Sequence, residues 1–239
     1  MSKFEEKISK RIGKTIFDHK MIENNDKILI GASGGKDSFL LLYDLYRRAK
    51  VIPVKYEIIV AHIVSDFADD SYLPGLESLF KEYGVEYKII RLAIDGRLKE
   101  GKKLNCYWCS MQRRIELMKL AKSLGCSKLA LGHNLDDVVE TFLMNLFNKS
   151  EIATMLPVMK YKKFDLTIIR PLSDIKEKDI ERFAKEKSYQ NLGQICPLSA
   201  LNQRKSIKKI IDDLSKTNPN IRENIANSTK NINLDYILN

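Results

Sequence analysis

No apolar run in this chain is long enough to cross a bilayer, and its first residues, MSKFEEKISKRIGK, are charged where a secretory leader would carry an apolar core. These absences exclude a helical membrane span and make the cytoplasm the expected location. Cysteine is scarce, with four residues, and only Cys106 and Cys109 cluster. In an intracellular chain this usage argues against structural disulfides and for metal or redox chemistry where the thiols gather. The three histidines, His19, His62 and His133, lie far apart and no second Cys-x-x-Cys exists, so a closed four-ligand zinc site is not evident. Internal repeats and low-complexity tracts are missing too. With 44% apolar and 30% charged residues, the 239-residue chain has the composition of a folded α/β domain with a smaller appendage.

What the chain has in excess is positive charge: 41 Lys and Arg against 31 Asp and Glu leave +10, which points to a polyanionic partner beyond any small nucleotide. Between Arg97 and Lys122 eight basic residues face two acidic ones, so the charge gathers around Cys106 and Cys109.

Phe4, Ile8, Ile12, Thr15 and Ile16 recur at helical spacing and predict an N-terminal amphipathic helix that packs as a lid or arm. Apolar stretches at Ile28–Ile30, Tyr56–Val64, Glu86–Leu92, Lys128–Leu131 and Leu166–Ile169 predict five strands. Helices are expected between them and again at about 175–187, 201–216 and 221–231. The alternation specifies a doubly wound parallel sheet of about five strands, with C-terminal helices folding over one edge. The expected divisions are 1–24 for the first helix, 25–190 for a nucleotide-binding domain carrying the Cys-x-x-Cys, and 191–239 for a helical segment with the late Cys196. Ile94 to Leu104, polar and basic, reads as a mobile crossing segment. The Cys-x-x-Cys falls at the entry to a helix over Ser110–Leu124. Gly132 to Asp137 reads as the loop that precedes a helix over Val138–Asn148.

The most informative stretch is Ile28–Leu42, ILIGASGGKDSFLLL, a strand, a glycine loop and a helix N-terminus. Glycines let backbone N–H groups crowd round a phosphate, the helix dipole favours anions and Lys36 adds a point charge. A Walker A loop needs four residues before its Gly-Lys pair and then Ser or Thr; here Gly31 to Gly35 leaves three, and Asp37 follows Lys36. The dinucleotide glycine fingerprint is absent as well. What remains, Ser33-Gly34-Gly35-Lys36-Asp37-Ser38, resembles the SGGxDS pyrophosphate loop of the PP-loop ATPases. Such a loop implies that Ala32, Ser33, Gly34, Gly35, Lys36, Asp37 and Ser38 hold ATP. His62 lies at the carboxyl end of the second strand, and Gly132 and His133 lie in a second loop facing the same crevice, which makes them further ATP candidates.

The spacing of Cys106 and Cys109 suits zinc, a redox dithiol or an iron–sulfur ligand pair. Cys196, in a Gln-Ile-Cys-Pro loop, is the candidate third thiolate, and Cys126 reads as a small buried hydrophobe. Asp136 and Asp137 offer hard oxygen ligands for Mg²⁺ or an orienting group for substrate; paired acids also suit a helix start on dipole grounds, but beside a phosphate loop the functional reading is preferred. Arg113, Arg114 and Arg170 suit phosphate, of ATP or of RNA.

The loop, Cys106-x-x-Cys109 with Arg113-Arg114 following, Gly132-His133-Asn134-x-Asp136-Asp137, Ile169-Arg170-Pro171-Leu172 and the late Cys196 occur in the order found in the tRNA thiolases that form 2-thiocytidine and 2-thiouridine. The chain resembles that family over nearly its whole length. It lacks the flanking zinc fingers of the thiouridine branch, and Ser199 stands where a second cysteine can occur in the thiocytidine branch; the first departure leans towards thiocytidine. The resemblance implies a [4Fe-4S] cluster on Cys106, Cys109 and Cys196 with one iron left for sulfur. It also implies ATP with Mg²⁺ on Asp37 and Asp137, and catalysis by Lys36, Asp37, Asp136 and Asp137. It further implies tRNA bound by Lys102, Lys103, Arg113, Arg114 and Arg170, and a sulfur donor, cysteine desulfurase or inorganic sulfide. The expected reaction adenylates the C2 oxygen of a pyrimidine and replaces it with sulfur as AMP leaves. Pairing as a homodimer stays open. Two rivals stay open as well: a cluster-independent ligase of the tRNA lysidine synthetase or amidotransferase kind, and a metal-binding RNA-interaction protein with a degenerate nucleotide site.

Overall fold

In the computed structural model, which describes residues 1–67, 69–98, 101, 104–193 and 204–236, Ile28, Leu29 and Ile30 are each fully buried. A strand buries consecutive side chains only when both faces of its sheet are covered. These residues belong to β1 (Asp26–Gly31), flanked by β2 (Tyr56–Ser65) and β4 (Lys128–Leu131); β3 (Glu86–Leu92), β5 (Val158–Tyr161) and β6 (Leu166–Ile169) complete the sheet in the order β3-β2-β1-β4-β6-β5. Five strands run parallel and β5 returns antiparallel to β6. The sheet thus has six strands rather than about five. The extra one is a four-residue edge strand whose Met159 and Lys160 are both exposed, so it carries no period-two signal.

Ile28 and Ile30 face a core built with α1 (Lys3–Asp18), α2 (Lys36–Val51), α3 (Leu73–Tyr83) and α6 (Glu177–Glu186). Leu29, Ala61, Ile63, Leu129 and Leu131 face the other way, onto Leu117, Met118 and Ala121 of α4 (Cys106–Ser123). A third cluster joins α5 (Leu135–Lys149) to α7 (Arg204–Ser215) and α8 (Ile221–Ser228) through Leu135, Val139, Leu143, Ile207 and Ile211. The C-terminal helices therefore pack on α5 rather than over a sheet edge. Nor is α1 a lid: Ile8 and Ile12 are buried in the core, and its Glu5 accepts hydrogen bonds from Tyr43, from Arg47 at 3.2 Å and from Lys187 at 3.0 Å.

Two boundaries move in ways that matter. α4 begins at Cys106, because the Asn105 side chain accepts the Trp108 N–H at 2.9 Å and caps the helix. α5 begins at Leu135, because Asn134 accepts the Asp137 N–H at 3.1 Å while Asp137 accepts the Asn134 N–H at 3.0 Å. Asp136 and Asp137 thus sit in the first turn of a helix and not in a loop. The crossing segment after β3 opens with Ile94 fully buried and a short 3₁₀ turn at Asp95–Arg97. Among the described residues, no helix is long and apolar enough to cross a membrane.

From β1 the chain winds through β2 to β3 on one side and later returns to β4 on the other. At the carboxyl ends of β1 and β4 the flanking loops diverge, which is where doubly wound sheets open a crevice.

Candidate functional site

The loop after β1 is held in shape from behind and left open in front. Gly34 has φ of +82°, and a Cβ there would stand 2.2 Å from the Leu192 carbonyl oxygen. The Gly34 carbonyl accepts the Leu192 N–H at 3.0 Å and the Tyr189 hydroxyl at 2.8 Å, and Tyr189 stacks on Phe39 at 4.0 Å. Ser38 Oγ donates to the Gly35 carbonyl at 2.9 Å, and the Gly35 N–H donates to Ser33 Oγ at 3.3 Å. The chain between β1 and α2 therefore curls round the N-terminus of α2, a helix end that favours anions.

The loop after β4 closes the other wall. A Cβ on Gly132 would lie 3.1 Å from the carbonyl carbon of Asp37 and from the amide nitrogen of Ser38, so any larger residue would push the two loops apart by a few tenths of an ångström. Asn134 Nδ2 donates to Asp37 Oδ1 at 2.9 Å across the gap. Between the loops lies a cavity of about 260 Å³, lined by Ala32, Ser33, Asp37 and Ser38 on one side and Gly132 and His133 on the other, with Ser110, Arg113, Arg114 and Leu117 of α4 as its third wall. Six of the expected ATP-ligand residues thus converge with two arginines.

Some expected residues take other places. His62 is fully buried behind the loop: its Nδ1–H donates to the Ala32 carbonyl at 2.7 Å and its Nε2 accepts the Tyr72 hydroxyl at 2.9 Å. Burial holds its pKa below the usual range, which fits that neutral tautomer. It shapes the loop and does not line the cavity. His133 is also neutral, pushed down to about 3 by burial and then by Arg170, Arg114 and Arg204, and its Nδ1 accepts from Arg170 Nε at 3.3 Å. Arg170 is 3% exposed, gives its Nη1 to the Leu156 carbonyl at 2.5 Å and has a pKa lowered to about 10 by burial. An RNA backbone does not reach it there; it orients His133. Lys36 points at Glu177 (3.0 Å) and Asp37 (3.2 Å) and is not among the cavity-lining residues.

Asp136 accepts the Glu177 N–H at 2.7 Å and an Arg222 hydrogen bond, joining α5 to α6 and α8. Its oxygens thus face helices rather than phosphate. Asp137 Oδ1 accepts from Arg204 at 2.9 Å. Asn134 stands in the Gly132–Asp137 motif without a role of its own, and Glu177, Arg204 and Lys208 belong to no sequence motif. An N-cap pattern marks Asn134, but Glu177 meets Lys36 across 141 residues of sequence, and no spacing rule finds such a contact.

At the head of α4, Cys106 is half-buried and Cys109 is buried, one turn apart on the helix that also carries Arg113 and Arg114. Two soft thiolates in a helix's first turn suit iron–sulfur ligation. The neighbouring Trp108 Nε1 is buried with no hydrogen-bond partner among the described residues. Cys196, Lys102 and Lys103 lie outside the described residues, among which no group of three His, Cys, Asp or Glu is arranged for a metal ion. Cys126 is 5% exposed with its thiol pKa raised by burial, in keeping with a packing role.

The family model described as the PP-loop domain matches residues 2–193. The tRNA-cytidine(32) 2-sulfurtransferase of Geotalea uraniireducens is 34% identical over 242 residues, covering 97% of this chain and 94% of its own, and that of Pseudomonas fluorescens is 32% identical, covering 97% and 85%. The chain belongs to the PP-loop family, on its tRNA 2-thiolation branch. The solved U34-tRNA thiolase NcsA of Methanococcus maripaludis, which carries a [4Fe-4S] cluster, superposes with a TM-score of 0.81 at 28% identity over 98% of this chain and 80% of its own. The NH3-dependent NAD synthetase of Campylobacter jejuni, at TM-score 0.56 and 16% identity over 97% and 93%, shares the fold alone. The Ser33–Ser38 turn lies within the matched residues and carries the SGGxDS pattern of a PP-loop.

Proposed function

We infer that this protein is an ATP-dependent tRNA sulfurtransferase that replaces the C2 oxygen of a cytidine with sulfur through an adenylated base. The observation that carries the reading is α4: its first turn bears Cys106 and Cys109, and its next turn bears the arginines that wall the cavity beside the PP-loop. Four residues of helix separate Cys109 from Arg113, a rise of about 6 Å. Sulfur delivered at the thiol end therefore meets a base activated at the arginine end without crossing the molecule.

In this reading, backbone amides from Gly34 to Ser38 hold the β and γ phosphates of ATP, and the space of about 260 Å³ admits part of the nucleotide rather than all of it. Arg113 and Arg114 face the phosphate at which negative charge develops, or the tRNA backbone that brings the base. Neutral His133, held by Arg170, presents its Nε2–H to the ligand. A carbonyl oxygen is a poor leaving group; once it carries AMP it is a good one, which is why ATP is consumed. The cluster, when bound on Cys106, Cys109 and Cys196, supplies an iron without a protein ligand at which sulfur is held. Cys196 stands three residues after Gly193 in the sequence, and Gly193 directly follows the Leu192 that backs the PP-loop. Mg²⁺ is assigned to Asp37, in the first turn of α2, and Asp137, in the first turn of α5, which lies near enough for the Asp37 charge to act on it; Arg204 then gives up Asp137. Asp136 is left to its helix contacts.

The test is iron and acid-labile sulfide in protein purified without air. The expected result is about four of each per chain in the wild type, lost in Cys109→Ala and in Cys196→Ala while both variants still bind ATP. Zinc, or no metal at all, contradicts the reading.

A further inference from the structure

Lys36 sits at the first position of the helix that receives phosphate, yet its ammonium is spent on carboxylates. Glu177 Oε1 holds it at 3.0 Å and Asp37 at 3.2 Å. Glu177 is itself shared: its other oxygen, Oε2, accepts from Lys208 of α7. The two lysines therefore occupy different oxygens of one half-buried carboxylate. Asp136 fixes the backbone of Glu177 at the head of α6, so the carboxylate is anchored while both lysines reach it on long flexible stems.

Burial alone would raise the Glu177 carboxyl pKa, but Lys208 and Lys36 outweigh it and hold the group below its ordinary value. A carboxylate in that position tolerates the loss of one cation only if the other stays, since an unpaired half-buried charge is costly.

We propose that Glu177 is a positioning residue that competes with the ATP phosphates for Lys36, and that Lys208 is the second cation that keeps Glu177 paired when Lys36 turns to the nucleotide. The inference rests on the ATP-using reading above and goes beyond it by assigning two residues outside the PP-loop to control of its lysine. Lys208 then favours ATP binding without touching ATP, whereas Glu177 opposes it. A purely structural bridge between α2, α6 and α7 would give both residues the same sign.

The experiment is calorimetric titration of the full chain, purified without air, with Mg–ATP. A half-buried ion pair sets the scale at about fivefold in affinity. Glu177→Gln is expected to bind ATP about fivefold more tightly, and Lys208→Met about fivefold more weakly. Lys208→Arg keeps the charge and is expected to match the wild type. In the double variant the Lys208→Met loss should vanish, because its effect runs through Glu177. Weaker or unchanged binding in Glu177→Gln, or a Lys208→Met loss that persists in the double variant, overturns the inference and leaves the proposed function standing. Failure of the wild type itself to bind ATP overturns both.

Discussion

At Gly34 the backbone does what no other residue allows. Its positive φ and the 2.2 Å approach of a would-be Cβ to the Leu192 carbonyl mean that Gly34→Ala must move either the PP-loop or the segment behind it. Strain of this kind costs roughly 1–3 kcal/mol. The expected outcome is a folded protein with a lowered unfolding midpoint and ATP affinity reduced at least about tenfold, since a phosphate cradle is sensitive to small displacements; calorimetry on the variant checks both. Which residues form this cradle is legible in the sequence, because Ser33–Ser38 is a local motif whose chemistry depends only on neighbours in the chain. His62 is not legible in the same way. Strand position places it at the ligand end of β2, but side chains alternate faces, and its ring falls on the side away from the cavity while Ala61 and Ile63 face it. Arg170 and Asp136 are further cases: their residue types suit phosphate and metal, while burial among Leu156, His133 and Arg222 gives them positioning and helix-joining work. Burial depends on contacts between distant parts of the chain, so residue type alone does not report it.

Elements are read from the sequence more securely than contacts, and the reason is periodicity. β3, β4 and β6 coincide with the apolar runs that predict them, and β2 gains only Ser65. β5 escapes because an edge strand of four residues with two exposed side chains shows no pattern. The role of α1 escapes because an amphipathic helix announces one apolar face but not what covers it. In the structure that face is locked by a buried pair: Asp44 of α2, 2% exposed, accepts from Arg48 at 2.6 Å and from Ser9 of α1 at 2.6 Å. Removing the cation strands a buried carboxylate, so Arg48→Met is expected to destabilise the fold by about 3 kcal/mol in urea titration with ATP affinity unchanged. A second effect belongs to α5. Glu140, 7% exposed, has its pKa raised from 4.5 to about 7 by burial and by the charge of Asp137. The folded protein holds that proton more tightly than the unfolded chain, so the stability it contributes is fully present below pH 4.5 and is lost as pH rises through about 7. Glu140→Gln, which mimics the protonated group, should match the wild type near pH 4 and exceed it by up to about 3 kcal/mol at pH 8 in thermal or urea unfolding. Equal stability differences at both pH values would show that Glu140 is not the titrating group.

For the molecule as a whole, the sheet order decides what meets what. Because β4 inserts beside β1, Gly132 and Asn134 come against Asp37 and Ser38 although 97 residues separate Asn134 from Asp37. Because α4 crosses the opposite face of the sheet from α2, a pair of thiols and a pair of arginines reach the same crevice from one helix. The segments flanking residues 194–203 both return to this place: Leu192 to Gly34, and Arg204 to Asp137. The net charge of +10 supplies the long-range attraction a tRNA needs, while the crevice supplies the chemistry. Above all, cleavage of ATP to AMP and pyrophosphate and sulfur transfer to a tRNA base must occur together. The direct measurement is nucleoside mass analysis of unmodified tRNA incubated without air with the cluster-loaded protein, ATP, Mg²⁺ and sulfide, with AMP followed in the same samples. The account predicts 2-thiocytidine that appears in step with AMP and is abolished in Cys109→Ala. ATP consumed with no sulfur in the tRNA, or sulfur incorporated equally well without ATP, would contradict it.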